Sequence, residues 1–394
     1  MRVAIFTDND FDKTNGVTTT LRAVLRHAPA DLHPRIYTLS DMGCATDEYL
    51  ALTSIGMPIP WYGEMRMYLP LIRAFRRHLR ADHAAVVHIT TPGPVGLAAK
   101  YLAACDQLPT IGSFHTQLAE YTTILTGSSR LGQLMNRYMR WLYGGCAQIL
   151  APSEDTRRRL AEAGWEPGRI AIWPRGVDTD VFSPDRRSSA LRERWRVCER
   201  RPAILYAGRL SREKGLALLP ALESLLYRAR ASYRLILAGD GPMSSELQAA
   251  CPDAVFLGRL PHREMGAVMA SADLFIFPSD TDTAGNVVLE AQACGVPVLV
   301  SDRGGPHEQI VDGTTGFVCA AGNQLAFASR AVELLQSREL RARMADAARH
   351  HARTRGWQAA LEPLFSAYRA LGSAAAGAAP VASLQTHAGA LTRW

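Results

Sequence analysis

Twice along this chain, short apolar runs alternate with stretches of helical periodicity. The first series holds Arg2 to Thr7, Arg35 to Leu39, Ala85 to Ile89, Thr110 to Phe114, Gln148 to Ala151 and Ile170 to Trp173. The second opens at Ala203 in AILYAGRL and continues through Arg234 to Gly239, Ala254 to Leu257, Leu274 to Phe277 and Val296 to Val300. A strand that feeds a helix and returns parallel to itself makes a right-handed crossover, so each series predicts a parallel sheet covered by helices. A chain of 394 residues exceeds what one hydrophobic core serves, and a hydrophobic share of 47% is enough for two. The fold class expected is therefore α/β, with two domains.

The turn-formers of Arg175 to Pro184 (RGVDTDVFSP) mark a hinge between them. The boundaries expected are 1–174 for the first domain, 175–354 for the second, a final helical segment over 355–372, and a mobile tail over 373–394, where the composition falls to Ala, Gly, Ser and Pro. The seven cysteines are odd in number and widely spaced, which fits neither a disulfide framework nor a zinc site and implies a reducing compartment. The opening MRVAIFTDND lacks the flanks of a secretory leader, and no apolar run approaches the ~20 residues needed to cross a bilayer. A cytoplasmic protein is expected, with any membrane contact peripheral.

A formal charge of +7 predicts anionic company: nucleotide, phospholipid headgroup or nucleic acid. Two segments read as basic amphipathic helices, Met65 to Arg80 (MRMYLPLIRAFRRHLR) and Leu131 to Tyr143, the second with Arg130, Arg137 and Arg140. Each fits a membrane interface, and each equally fits a helix packed on the sheet with its arginines in water. The basic residues are not interleaved with a readout module, so nucleic acid is not expected as a partner.

The chemistry concentrates in FPSDTDTAGNVVLEAQACGVPVLV, Phe277 to Val300, which reads as strand, loop, helix, strand. In an open α/β sheet such a loop lies at the carboxyl ends of the strands, where ligands bind, and its helix offers unpaired N–H groups and a positive dipole end. Gly285 lets the backbone come close to a ligand, while Asp282 and Glu290 bracket the turn. Alone, that acidic pair equally describes a turn cap and a solvated helix face. Upstream, Gly208-Arg209 ends the first strand of the second series and Lys214 follows in SREKG. A guanidinium grips phosphate oxygens bidentately and an ammonium adds a mobile point charge, so the pair can neutralise a diphosphate leaving group. The triplet Asp280-Thr281-Asp282 also reads as a holder for a divalent cation, a task that Arg209 and Lys214 make redundant.

These motifs resemble the retaining glycosyltransferases of the GT-B type, family 4, with Asp282 where that family usually has Glu. The resemblance spans the chain to about Leu371 and includes Gly176-Val177-Asp178 in the hinge and Phe114-His115-Thr116 after a strand of the first domain. It implies two Rossmann-like domains whose parallel sheets face a central cleft, with the last helix crossing back to the first domain. It implies transfer of a hexose from a nucleotide diphosphate sugar to an acceptor hydroxyl, without metal or cofactor. Asp282 and His115 would contact the sugar, and Arg209 and Lys214 the diphosphate. The backbone of Ala284, Gly285, Asn286 and Val287 would line sugar and diphosphate, Glu290 the ribose, Arg259 the base, and Asn15, Gly16 and Val17 the near side of the cleft. The wording TDTAGNVVLEA leans toward mannosyl, glucosyl or sulfoquinovosyl lipid transferases, hence a lipid or lipid-linked glycan acceptor at an anionic membrane surface. A sugar-nucleotide epimerase on the same scaffold and a non-catalytic membrane or nucleic-acid binder are the competing readings.

Overall fold

The computed structural model describes residues 1–11, 15–59 and 62–377. Among the described residues, ten strands belong to the first half of the chain: β1 (Arg2–Phe6), β2 (His33–Ser40), β3 (Cys44–Ala45), β4 (Tyr49–Thr53), β5 (Gly56–Ile59), β6 (Tyr62–Tyr68), β7 (Val86–Ile89), β8 (Thr110–Ser113), β9 (Gln148–Ala151) and β10 (Ile170–Ile172). Eight of them form one sheet in the order β10-β9-β8-β7-β1-β2-β4-β3, parallel except for the β3–β4 pair, while β5 and β6 make a separate antiparallel ribbon. β1 lies centrally, with Val3 on Val86 and His33 beside Arg2, and Val3 to Phe6 are fully buried. A strand covered on both faces reads as a continuous apolar run, which is why RVAIF stood out in the sequence.

The second half gives β11 (Ala203–Ala207), β12 (Arg234–Ala238), β13 (Val255–Gly258), β14 (Leu274–Phe277), β15 (Val298–Ser301) and β16 (Gly316–Cys319) in an all-parallel sheet ordered β13-β12-β11-β14-β15-β16. β11 pairs with β14, so the loops that leave these two strands open at the same carboxyl edge. This is the doubly wound arrangement with its ligand crevice at the switch between neighbouring strands.

The final helix, Trp357–Gly377, packs Trp357, Leu361, Leu364, Phe365 and Tyr368 against Val3, Ile5, Val86, Ile111, Leu150 and Trp173, so it crosses back to the first sheet. Five buried side chains of this size contribute on the order of 10 kcal/mol before ordering costs, which anchors the return. The hinge segment lies against its start. Val177 bridges Gly356, and a Cβ on Gly176 would sit 2.6 Å from Trp357 Cα, so only glycine lets the two backbones meet.

Two expectations are corrected. The segment Met65 to Arg80 is not one helix: β6 runs to Tyr68 and the helix is Ile72–Ala81. Pro70 separates them, since it lacks an N–H and biases Leu69 toward extended backbone. Arg66 consequently pairs with Asp41, while Arg76 and Arg80 pair with Asp106 and only Arg73 and Arg77 of that helix's arginines stay exposed without an ion pair among the described residues. Of the tail expected over 373–394, residues 373–377 instead continue the last helix; the remainder of that segment lies outside the described residues.

Candidate active site

The loop after β11 is stitched to the loop after β14. The hydroxyls of Thr281 and Ser279 donate to the Glu213 carbonyl at 2.8 and 3.4 Å. Lys214, the next residue, is thereby aimed at Asp282, and its ammonium donates to Oδ2 at 2.5 Å. Burial pulls the Lys214 pKa down, but the Asp282 carboxylate and the nearby Tyr121 and Tyr206 outweigh it and raise the value. Asp282 shifts the complementary way: burial raises its pKa, and Lys214 with the N–H groups of Gly285 and Ala284 lowers it further. Both partners are therefore charged.

Asp282 Oδ1 accepts from Gly285 N at 2.9 Å and Ala284 N at 3.3 Å. Gly285, at φ 72° and ψ 47°, is the residue before the helix Asn286–Ala293, a left-handed conformation that glycine adopts without penalty. A Cβ there would also meet Pro306 at 2.9 Å, so the turn is closed from behind by the Gly304-Gly305-Pro306 segment. The Asn286, Val287 and Val288 N–H groups begin the helix, and Asn286 Oδ1 is buried with no hydrogen-bond partner among the described residues. Glu290, one turn further, is half-buried and burial pushes its carboxyl up to about 8.

The first domain supplies the facing wall. A Cβ on Gly16 would lie 3.9 Å from Asn286 Nδ2, which puts the glycine of the Asn15-Gly16-Val17 turn opposite the helix Asn286–Ala293. Asn15 caps that first helix and donates from Nδ2 to Asn9. His115, two residues beyond β8, accepts at its carbonyl from the Thr283 hydroxyl at 2.9 Å. Its ring is engaged as well: Nε2 lies 2.8 Å from Ser113 Oγ, and Nδ1 accepts from Arg175 at 3.2 Å. Burial, then the Arg175 cation and His88, hold its pKa well below the ordinary histidine value.

Lys214, Asp282, Ala284, Gly285 and Asn286 thus meet at one loop, with Gly16 and the His115 carbonyl of the first domain against it, and Val287 and Glu290 follow on the helix that the loop enters. Arg209 begins the Lys214 loop, where its carbonyl accepts from the Tyr206 hydroxyl at 2.9 Å. Arg259 stands apart: it is exposed, beyond β13 at the far edge of the sheet, where its charge is felt by Asp240. The sequence reading missed Thr283, which reaches across the cleft, and Tyr121, whose hydroxyl bonds Thr281 beside the Lys214–Asp282 pair. It also treated Arg175 as only part of a hinge. Glu308, in the turn after β15, accepts from the Glu154 and Asp155 N–H groups at 2.8 and 2.5 Å and so caps the helix Glu154–Glu162 from the opposite domain. Nothing in the spacing of residues 154 positions apart announces such a cap.

Two family descriptions cover nearly all of this architecture: "Glycosyltransferase Family 4" matches residues 14–181 and "Glycosyl transferases group 1" matches residues 188–351. The chain is a GT-B glycosyltransferase. Among its relatives is a GDP-mannose-dependent alpha-mannosyltransferase of Corynebacterium glutamicum, 29% identical over 377 residues that cover 93% of this chain and 88% of that one. A second, the GDP-mannose-dependent alpha-(1-6)-phosphatidylinositol monomannoside mannosyltransferase of Mycolicibacterium smegmatis, is 35% identical over 55% of this chain and 61% of its own. The fold of the glycosyltransferase is that of sucrose-phosphate synthase from Thermosynechococcus elongatus, with a TM-score of 0.76 at 16% identity, covering 95% of this chain and 99% of the other. Among the described residues of the glycosyltransferase, no helix is long and apolar enough to cross a membrane.

Proposed function

We propose that this enzyme transfers mannose from GDP-mannose to a hydroxyl of a membrane lipid or lipid-linked glycan, with retention at the anomeric carbon and without a metal ion. The observation that carries the reading is the convergence of the Lys214 ammonium, the Asp282 carboxylate and the N-terminus of Asn286–Ala293 on one cleft wall, opposite Gly16 and His115. Lys214 and Arg209 neutralise the diphosphate as the glycosidic bond breaks, and the backbone of Ala284, Gly285, Asn286 and Val287 cradles sugar and phosphate. Glu290 holds the ribose, Asp282 and His115 the hexose. The departing phosphate oxygen takes the acceptor proton, so the protein's part is charge stabilisation and geometry.

Mannose as the donor sugar rests on the names of the two mannosyltransferase relatives, and the α designation in both supports retention, since GDP-mannose is itself an α-linked donor. Metal independence is supported by the carboxylates of the Asp280-Thr281-Asp282 triplet: Asp282 is bonded by Lys214, and Asp280 accepts from the Ser301 hydroxyl. The test is a thermal-shift and transfer screen over GDP-mannose, UDP-glucose and related donors, run with and without EDTA. GDP-mannose at a hundred times its Kd stabilises by about 2.7 kcal/mol, and the product is α-linked and EDTA-insensitive. Activity abolished by EDTA and restored by Mn²⁺ would remove the metal-free mechanism; donor turnover to an epimer without acceptor would make the enzyme an epimerase.

The lipid acceptor has its own support. Leu131, Leu134 and Trp141 are exposed on Ser129–Tyr143 among the exposed Arg130, Arg137 and Arg140, and Leu97 and Tyr101 are exposed on the neighbouring helix Pro94–Cys105. Lys100 of that helix sits 4.7 Å over the Trp141 ring, and Arg76 of Ile72–Ala81 pairs with Asp106 at the helix's end, so the three helices form one face. Apolar side chains ringed by arginines fit an anionic bilayer surface. Reversing Arg73, Arg77 and Arg137 to glutamate is expected to weaken binding to anionic vesicles about tenfold or more in a sedimentation assay, with unchanged circular dichroism. Unaltered sedimentation would leave the membrane without support.

A further inference from the structure

We propose that Arg175 is a positioning residue for the transfer step, holding His115 as the neutral imidazole that carries its proton on Nε2. The proposal rests on the reading of this cleft as the hexosyl-transfer site. A guanidinium only donates, and Arg175 donates to His115 Nδ1 at 3.2 Å, so that nitrogen is the acceptor and the ring proton lies on Nε2. Nε2 faces Ser113 Oγ at 2.8 Å. The Ser113 hydroxyl then donates to His88 Nε2, also at 2.8 Å, and His88 Nδ1 donates to the Tyr368 hydroxyl at 2.6 Å. One ordered chain of hydrogen bonds therefore runs from the hinge, through the residue at the cleft, β8 and β7, to the returning helix.

Its interior members admit no water in exchange. Ser113, His88 and Tyr368 are wholly buried, so each relies on its neighbour in the chain to stay hydrogen-bonded. Arg175 is itself 97% buried, being 3% exposed, yet among the described residues no carboxylate lies within 4.0 Å of it. Its partners are the Trp173 carbonyl at 2.9 Å, the face of the Trp173 ring at 4.5 Å and His115, all neutral. A buried cation without a counter-charge is costly, and here its field falls on the imidazole next to it. Among the described residues, the groups facing the His115 ring are Arg175 from the hinge, His88 through Ser113 and Trp173, its ring centroid 5.8 Å away, while the Thr283 hydroxyl from the other domain meets the His115 carbonyl; Arg175 is the one fixed charge among them.

The consequence lies in the transition state. Positive charge builds on the sugar ring as the diphosphate leaves, and an imidazolium beside it would oppose that charge. Arg175 keeps the His115 ring, whose own carbonyl meets Thr283 at the cleft, uncharged and fixes its plane.

Ring-nitrogen NMR on the full-length protein with ¹⁵N-labelled histidine decides the protonation state without any donor. His115 is expected to show a bare Nδ1 and a protonated Nε2, and to stay neutral well below the ordinary histidine value. A proton on Nδ1, or titration near the ordinary value, overturns the proposal, and either result comes from the wild type, whatever the variants do. In Arg175→Met the ring should titrate at higher pH than in the wild type, burial still holding it below the ordinary value, so the ratio of kcat at acid pH to kcat at about pH 8.5 falls below that of the wild type, the donor KM changing little. Arg175→Lys should restore most of the acid-side activity. A loss of kcat by one factor at every pH would mark Arg175 as merely structural. If the NMR result holds but no nucleotide sugar is turned over, the functional reading of the cleft fails separately from the protonation assignment.

Discussion

Lys214→Met is expected to lower kcat about a thousandfold while changing donor affinity far less, because the charge it opposes appears only as the diphosphate departs. The structure offers a competing account of any such loss. Lys214 is bonded to Asp282 at 2.5 Å, so removing it leaves a largely buried carboxylate with only the Gly285 and Ala284 N–H groups, and the donor loop could simply loosen. Pairing the variant with Asp282→Asn separates the two. The double variant holds no stranded charge, and its melting temperature should recover most of the loss seen in Lys214→Met. If the lysine served only to restrain Asp282, activity in the double variant would recover to the level of Asp282→Asn alone. Activity about a hundredfold or more below Asp282→Asn is the result expected of an ammonium that acts on the leaving group, and a double variant as active as Asp282→Asn would refute it.

Much of this arrangement was legible in the sequence, and the reasons are local. AILYA, LFIF and the run ending in VLV are buried on both faces in β11, β14 and β15, so their apolar continuity marked them. Arg209, Lys214, Asp282 and Gly285 were visible because loops that open at one sheet edge carry their chemistry in contiguous motifs. What escaped notice depends on tertiary contact. The excursion through β3 to β6 is short and lies at the edge or outside the main sheet, with Cys44 and Ala45 exposed, and it gives no periodic signal. Pro70 did mark the break within Met65 to Arg80, but the mixed apolar and basic residues on either side suggested one continuous helix. The Thr283 bond to His115 joins residues 168 positions apart, and the path from His88 to Tyr368 spans 280. Such pairs follow only from knowing that the two sheets face each other and that the last helix returns.

The same dependence on burial sets up the last prediction, at Glu290. Its carboxyl stands at about 8 because burial disfavours the charged form. The sign follows from proton binding: between the unfolded value near 4.5 and the folded value, the native state holds more protons than the unfolded chain, so stability declines as pH rises through that window. Glu290→Gln removes the ionisable group and hence the decline. The variant should melt above wild type at pH 8.5, by on the order of 1–3 kcal/mol after discounting for partial exposure, and match it near pH 4.5. For a chain of two domains that gain corresponds to several degrees of Tm. Function should move the opposite way. An amide cannot act as a charge-assisted acceptor for a pair of ribose hydroxyls, so KM for the nucleotide sugar should rise about tenfold or more with kcat at saturation little changed. A variant more stable at alkaline pH and weaker for its donor would show that the half-buried acid is retained for binding at the expense of the empty fold. Equal stability curves for the two proteins across the whole range would mean that Glu290 titrates normally, and donor affinity unaffected by the substitution would remove it from the nucleotide site.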